Sequence, residues 1–415
     1  MQQTPRKLSD DVLFALNNAP VVFVNGPRQA GKTTLAQSLA AKDFPADYIS
    51  FDNATQMAAA AASPETILSS RKGPLIIDEV QLVPDIFRAL KIVVDNLRLA
   101  NEGRVNGRFL LTGSANIMAL PKLSDPLVGR MSVKTLLPFA GCEALGGRGD
   151  FLKRVFTLDF SGLTTDQTPL NDVMRVATFP EISGRQIRER GEWFDGYLTT
   201  MLQRDVRMLS ELEKIAVLPT LLRLLAARAG SLMNDAAIAR DAGLNPVTSK
   251  SYRAILQAMF LTFDVQPWYR NISKRLVKSP KGYLTDTLLL CHLLEWNPDD
   301  LRDRRPDVYG HVVENFVATE LTKLLTFTNL RARLLHFRTS DNKEVDFVLE
   351  RPDGRLAGIE VESSDTLRSG DFNGLKILQA ATGEDFISGI VLYTGRDVVP
   401  FGEKLLAVPV GALWQ

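Results

Sequence analysis

Eight residues near the N-terminus, Gly26-Pro27-Arg28-Gln29-Ala30-Gly31-Lys32-Thr33, are of types that together can hold a chain of phosphates. Gly26 and Gly31 let the backbone turn so that its N–H groups point inward. Lys32 supplies a point charge for the β and γ phosphates, and Thr33 offers a hydroxyl to Mg2+. The following run, Thr34-Leu-Ala-Gln-Ser-Leu-Ala, has a helical pattern, so the positive end of a helix dipole faces the same anion. The preceding run, Pro20–Val24, is short, apolar and valine-rich, and reads as a buried strand. Strand, glycine-bounded loop and helix are the context that the spacing G-x-x-x-x-G-K-[ST] requires. Residues 26–34 are therefore expected to bind ATP, with Thr34 completing the set.

A second acidic element follows. Pro74–Glu79 is an apolar run ending in two acids, which carries Asp78 to the edge of a sheet where α/β proteins bind ligands. Asp78, with Thr33, is expected to hold Mg2+, and Glu79 to polarise the attacking water. The turn Thr112-Gly113-Ser114-Ala115-Asn116 ends a strand expected between those of the loop and of Asp78. There Thr112, Ser114 or Asn116 either touches the γ-phosphate and its water, with Ser114 as the catalytic candidate, or forms a plain polar turn. Gly129-Arg130 precedes the last strand; Arg130 reads either as a finger reaching a neighbouring subunit's nucleotide or as a surface arginine.

These residues need a scaffold. Tyr48–Phe51, Arg108–Thr112 and Val133–Leu137 read as further strands, and Ile86–Leu99 as an amphipathic helix. Alternating strands and helices imply a mostly parallel sheet covered on both faces. GPRQAGKT (26–33), LIIDE (75–79), TGSAN (112–116) and Gly129-Arg130 resemble the AAA+ class of P-loop ATPases. That resemblance implies a homo-oligomer whose sites form between subunits.

Bulk composition is that of a globular chain. The 415 residues suggest more than one domain, and 49 basic against 48 acidic residues exclude a whole-molecule field for nucleic acid. Cys142 and Cys291 fit neither a metal spacing nor a disulfide framework, and His292, His311 and His336 are too scattered for zinc. Lacking an apolar leader and an apolar run of about 18 residues, the chain is expected to be cytoplasmic, with no membrane partner.

Residues 146–215 read as a helical lid or connector, whose aromatic stripe of Trp193 and Tyr197 suits core packing. Over 216–286, helices at 221–229, 233–241 and about 245–260 around a Gly243 turn, then two apolar-patterned runs, read as a winged helix-turn-helix. Its third helix carries Lys250 and Arg253, and its wing Arg270, Lys274, Arg275, Lys278 and Lys281. This local basic face would meet the phosphates of double-stranded DNA, or be solvated, or meet protein.

In residues 287–415 a helix over 309–325 carries Glu314 and Glu320, and strands at 344–349 and 356–361 carry Asp346 and Glu360. Glu314, Asp346 and Glu360 could hold Mg2+ or Mn2+ as a second metal site. The pattern resembles the restriction-endonuclease-like core, helix-E…D…E-x-K. Glu362 stands where that core has its lysine; a lysine there would stabilise developing negative charge, whereas a glutamate opposes it. Lys343 or Lys376 could take over the role; a structural hairpin or a degenerate nuclease fold kept for binding are the other readings.

The full chain resembles a widespread family of prokaryotic AAA+-like P-loop ATPases with a winged helix and a restriction-endonuclease-like C-terminal domain. GPRQAGKTTL, LIIDEVQ, LLTGSAN, Phe179-Pro-Glu, KSPKGYLTD and NKEVDFVLE with GIEVE carry the likeness. The expected architecture is thus α/β: an AAA+-like ATPase domain (1–145), lid (146–215), winged helix (216–286) and degenerate nuclease-like domain (287–415). The expected activity is Mg2+-dependent ATP hydrolysis coupled to DNA engagement. The alternatives are a nucleotide-dependent regulator or scaffold acting on proteins, and an ATP-dependent nuclease.

Overall fold

The computed structural model describes residues 4–100, 105–114, 127–163, 168–206, 215–271 and 278–415. The chain divides into two compact units: residues up to Pro138 with Ala258–Phe260, and Phe139–Gln257 with Leu261–Gln415.

The first unit alternates helices and strands: α1 (Leu8–Asn18), β1 (Val21–Asn25), α2 (Lys32–Lys42), β2 (Asp47–Ser50), α3 (Ala54–Ala62), α4 (Pro64–Ser69), β3 (Leu75–Asp78), α5 (Ile86–Ala100), β4 (Phe109–Thr112) and β5 (Met131–Thr135). All five strands are parallel, in the order β2-β3-β4-β1-β5. β4 thus lies between β3 and β1, the place expected for the strand that ends in Thr112-Gly113-Ser114. β1, β3 and β4 are buried along their whole length, which is why they read as unbroken apolar runs rather than alternating ones. α5 buries Ile86, Phe87, Leu90, Val93 and Val94 from one stripe, and Phe87 meets Phe23 of β1 edge-on at 6.1 Å.

The second unit begins with α6 (Gly141–Leu145), α7 (Phe151–Thr157), α8 (Leu170–Val176) and α9 (Ile187–Thr200), then α10 (Leu218–Ala226), α11 (Asp235–Asp241) and α12 (Pro246–Ala258). It continues through β6 (Thr262–Pro267), β7 (Lys281–Leu284), α13 (Thr287–Leu293), α14 (Pro298–Arg304), α15 (Pro306–Phe327), β8 (Arg333–Arg338), β9 (Glu344–Glu350), β10 (Leu356–Glu362), α16 (Asn373–Thr382), β11 (Phe386–Tyr393), β12 (Val399–Gly402) and β13 (Leu405–Pro409). Its eight strands form one mixed sheet, β12-β13-β11-β10-β9-β8-β6-β7. Phe347, Phe372, Leu375, Leu378 and Phe386 are fully buried among its strands and α16. Phe179 packs against Trp193, Phe194 and Tyr197 of α9, so that aromatic stripe is core.

One expectation needs correction. The β6–β7 hairpin, read as the wing of a separate module, pairs through Gln266 and Pro267 with Leu335 and His336 of β8. It is the edge of the C-terminal sheet, because its open strand finds its hydrogen-bond partner there. Among the described residues, no helix is long and apolar enough to cross a membrane.

α15 also carries a buried ion pair. Lys323 donates to Glu320 at 2.9 Å and to the carbonyls of Phe139 and Ala177 at 2.9 and 3.0 Å, while Glu320 accepts from the Gly141 N–H at 2.7 Å. Glu320, one of the two helix acids noted in the sequence, thus anchors the first turn of α6. Removing one partner leaves an uncompensated charge and two orphaned carbonyls. Lys323→Met should cost about 3–5 kcal/mol in denaturant unfolding followed by tryptophan fluorescence, and every tryptophan of the chain lies in this unit.

Candidate functional sites

The phosphate loop runs from the end of β1 to the first turn of α2. Gly26 has φ 145°, and a Cβ there would fall 2.0 Å from the carbonyl oxygen of Leu136, so only glycine fits. Gly31 caps α2 in the left-handed region at φ 92°. Arg6, which the sequence did not single out, clamps the loop from outside, donating to the carbonyls of Ala30 at 2.7 Å and of Leu137 at 2.6 Å. Lys32 is buried, and its ammonium donates to the carbonyls of Gly26 and Pro27 at 3.0 and 2.8 Å. Burial lowers its pKa to about 8, against the opposing pull of Glu79 and Asp78.

Across the strand edge stands Asp78. Its carboxylate accepts from Thr33 Oγ1 at 2.9 and 3.2 Å, from the Tyr48 hydroxyl at 2.7 Å, and from the Thr112 hydroxyl. Thr33 and Asp78 therefore offer adjacent hard oxygen donors beside Lys32, a set that fits Mg2+ carried in with nucleotide phosphates. When bound, that ion neutralises charge on the β and γ phosphates.

Glu79 leaves the strand with a left-handed backbone, φ 56°. For a side-chain-bearing residue this strain is worth on the order of 1–3 kcal/mol, the kind found at functional sites. The turn separates the two acids: Asp78 stays among the hydroxyls, while the Glu79 carboxylate accepts from Gln81 Nε2. Burial raises the Glu79 pKa, with Gln81 and Lys32 opposing. The same Gln81 nitrogen donates to Ser114 Oγ at 3.0 Å, so one amide joins the expected base to the expected phosphate-sensing hydroxyl. The sequence gives little sign of Gln81 and Tyr48: Gln81 follows the acids in LIIDEVQ, but Tyr48 lies 30 residues before Asp78 on another strand. Asn116 lies outside the described residues.

Arg130 does not join this group. It sits just before β5, whose Met131 pairs with Val21 at the start of β1, so it lies at the strand ends opposite the loop. Its guanidinium grips Asp95 of α5 through Nε and Nη2 at 2.7 and 2.9 Å.

The expected basic face is partly dismantled. Arg253 is 7% exposed and is paired with Asp235 and Asp264, so it is a core ion pair rather than a phosphate contact. Lys281 is 2% exposed. Lys250 and Lys278 are exposed, and Arg270 is exposed beside Asp385 at 3.8 Å. Lys274 and Arg275 lie outside the described residues.

The acids of the C-terminal domain do converge. Glu314 of α15, Asp346 of β9 and Glu360 of β10 form one cluster, but Lys281 of β7 stands among them, 3.0 Å from Asp346 Oδ1 and 3.1 Å from Glu314 Oε1. Burial alone would lower the Lys281 pKa; Asp346, Glu314 and Glu344 together raise it above the ordinary lysine range. Glu314 is raised to about 7 by burial and Asp346, and Glu360 well above its usual value by the same two causes. Glu362 is half-buried at the end of β10, while Lys343 and Lys376 are exposed. The lysine that reaches this cluster is therefore neither of those expected.

Residues 18–145 match the family model described as AAA domain, and residues 167–300 and 309–413 match the domains of unknown function DUF8612 and DUF4143. With the five parallel strands and the loop around Lys32, the N-terminal unit is a P-loop domain of the AAA class, the nucleotide-binding type. The chain is 31% identical over 401 residues to the uncharacterized proteins Rv2008c of Mycobacterium tuberculosis and Mb2031c of Mycobacterium bovis, spanning 95% of this chain and 81% of each relative. It belongs to their family. Among solved structures it is similar to the Walker-type ATPase PABY2304 of Pyrococcus abyssi (16% identity, 70% of this chain and 95% of that one, TM-score 0.43). It is also similar to the Thermotoga maritima RuvB Holliday junction branch migration motor (19%, 71% and 96%, TM-score 0.30).

The Lys32 environment gives a pH signature. The protein alone loses the Lys32 proton as pH rises through about 8, whereas phosphates beside the ammonium hold that proton to higher pH. ATP affinity should be flat below pH 8 and fall above it, with proton uptake on binding at pH 9 seen by calorimetry in two buffers of different ionisation enthalpy. Affinity unchanged from pH 7 to 10 would remove the assignment.

Proposed function

We propose that this chain hydrolyses ATP with Mg2+. The observation that carries the reading is the Thr33 hydroxyl at 2.9 Å from the Asp78 carboxylate, with Lys32 and Glu79 beside them. In this reading Gly26, Gly31 and the intervening backbone wrap the phosphates, and Lys32 exchanges its loop carbonyls for phosphate oxygens. Thr33 and Asp78 hold the metal. Glu79 accepts a proton from the attacking water, a role suited to a carboxylate whose pKa burial has raised. Ser114, held through Gln81, touches the γ-phosphate or that water.

Arg130 is proposed to act on a neighbouring copy, since it stands away from its own loop. It must leave Asp95 to do so, which makes Asp95 its resting partner and the homo-oligomer the active form.

Engagement of double-stranded DNA is the proposed use of that hydrolysis, with exposed Lys250, Lys278 and Arg270 as contacts. A specific observation favours a second reading, a nucleotide-driven switch acting on protein: Arg253 and Lys281, two of the cations the DNA reading relied on, are internal.

Glu79→Gln should leave ATP binding within about twofold and lower the steady-state rate by about 100-fold or more, as loss of a general base does. Retained turnover would take that role from Glu79. Adding double-stranded DNA at low salt should raise the wild-type rate, and the rise should fade with salt as phosphate contacts are screened. A rate indifferent to DNA, with hydrolysis intact, moves the reading to a protein partner.

A further inference from the structure

A restriction-endonuclease-like core would need a divalent ion between Glu314, Asp346 and Glu360. The donor set does not fit one, because a cation is already built in. Lys281 Nζ lies 3.0 Å from Asp346, 3.1 Å from Glu314 and 4.0 Å from Glu344. These are ammonium–carboxylate distances, whereas a bound Mg2+ or Ca2+ would draw its oxygens to about 2.0–2.6 Å.

The lysine cannot readily step aside. Its side chain is 3% exposed, and it grows from the start of β7, where its backbone pairs with Val265 of β6 on one side and bridges Leu232 on the other. Several of the carboxylate oxygens also have other partners. Tyr283 donates to Glu314 Oε1 at 2.7 Å, the Val361 N–H donates to Asp346 Oδ2 at 3.1 Å, and Glu360 Oε2 accepts from the Asp346 N–H at 3.4 Å. A divalent ion entering here would meet a fixed positive charge within a few ångströms in a medium that screens poorly. Among the described residues, no group of three His, Cys, Asp or Glu side chains is arranged to hold a metal.

We propose that Lys281 is the resident cation of this cluster, taking the place of a divalent ion, so that the C-terminal domain binds neither Mg2+ nor Mn2+ there and performs no metal-dependent phosphodiester cleavage. The lysine absent from position 362 is not replaced as an orienter of water. A lysine's charge comes instead from β7, the last strand of the sheet, and joins the acids directly. This inference is independent of the ATPase reading, and its test uses no nucleotide.

The test is Mn2+ titration of the full chain followed by electron paramagnetic resonance, comparing wild type, Asp346→Asn, Lys281→Ala and the double variant. Any ion at Thr33 and Asp78 is common to all four and cancels. Wild type and Asp346→Asn should bind Mn2+ alike, while Lys281→Ala should take up one further ion that is lost again in the double variant. An ion in wild type that Asp346→Asn removes would overturn the proposal, as would a folded Lys281→Ala chain that gains none. Should Lys281→Ala not fold, wild type against Asp346→Asn decides alone: equal binding supports the proposal and an Asp346-dependent ion refutes it.

Discussion

Three hydroxyls converge on the Asp78 carboxylate, and the nucleotide unit is arranged so that they can. Thr33 comes from the helix after β1, Tyr48 from β2 and Thr112 from β4. Only a sheet in which β3 is flanked by β2 and β4, with β1 next, brings those side chains to one strand end. Parallel strands put all their C-termini at the same edge, so an acid there meets loops from every neighbour. The left-handed turn at Glu79 then separates two consecutive acids into two environments: one held among hydroxyls, the other against an amide that also reaches Ser114.

The second unit solves a different electrostatic problem on α15. Lys323, on the helix itself, and Lys281, from β7, are both buried, and each is matched by an acid of that helix. Lys323 answers Glu320 and two backbone carbonyls, Glu320 in turn accepts from the Gly141 N–H, and the result is a brace for α6. Lys281 answers Glu314 and Asp346, and the result is a compact charged centre within the sheet. Glu320 is fully buried and the Glu314 side chain is only 15% exposed, so neither is an ordinary solvent-facing acid. Burial of a charge is tolerable only with partners supplied: Lys323 has Glu320 one turn away and two carbonyls distant in sequence, whereas the Lys281 cluster is assembled from α15 and the strands β7 and β9.

The parts of the molecule that could be read in advance are those encoded locally. The phosphate loop is one continuous segment whose glycines, lysine and threonine act on the same ligand, and β3 announces itself as an apolar run ending in acids. What escaped notice depends on side chains meeting across the sheet: Tyr48 on Asp78, Gln81 between Glu79 and Ser114, Arg6 on two distant carbonyls. Charge was the least legible property. Arg253 and Lys281 looked like members of a basic face, because a sequence shows a cation but not the acid that the fold sets against it. The β6–β7 hairpin was legible as a hairpin, but its continuation into the C-terminal sheet was not, since that joining involves only two residue pairs.

Arg6 bears on where this domain begins. Its guanidinium ties the Ala30 carbonyl of the phosphate loop to the Leu137 carbonyl, next to the Leu136 oxygen that Gly26 packs against. The family match opens at residue 18, twelve positions downstream of that clamp. A fragment excised at the boundary of the recognisable domain would keep every motif residue and lose the strap that holds the loop in shape. The functional outline of the domain is thus wider than its signature, and its working N-terminal limit is set by one arginine that no motif contains.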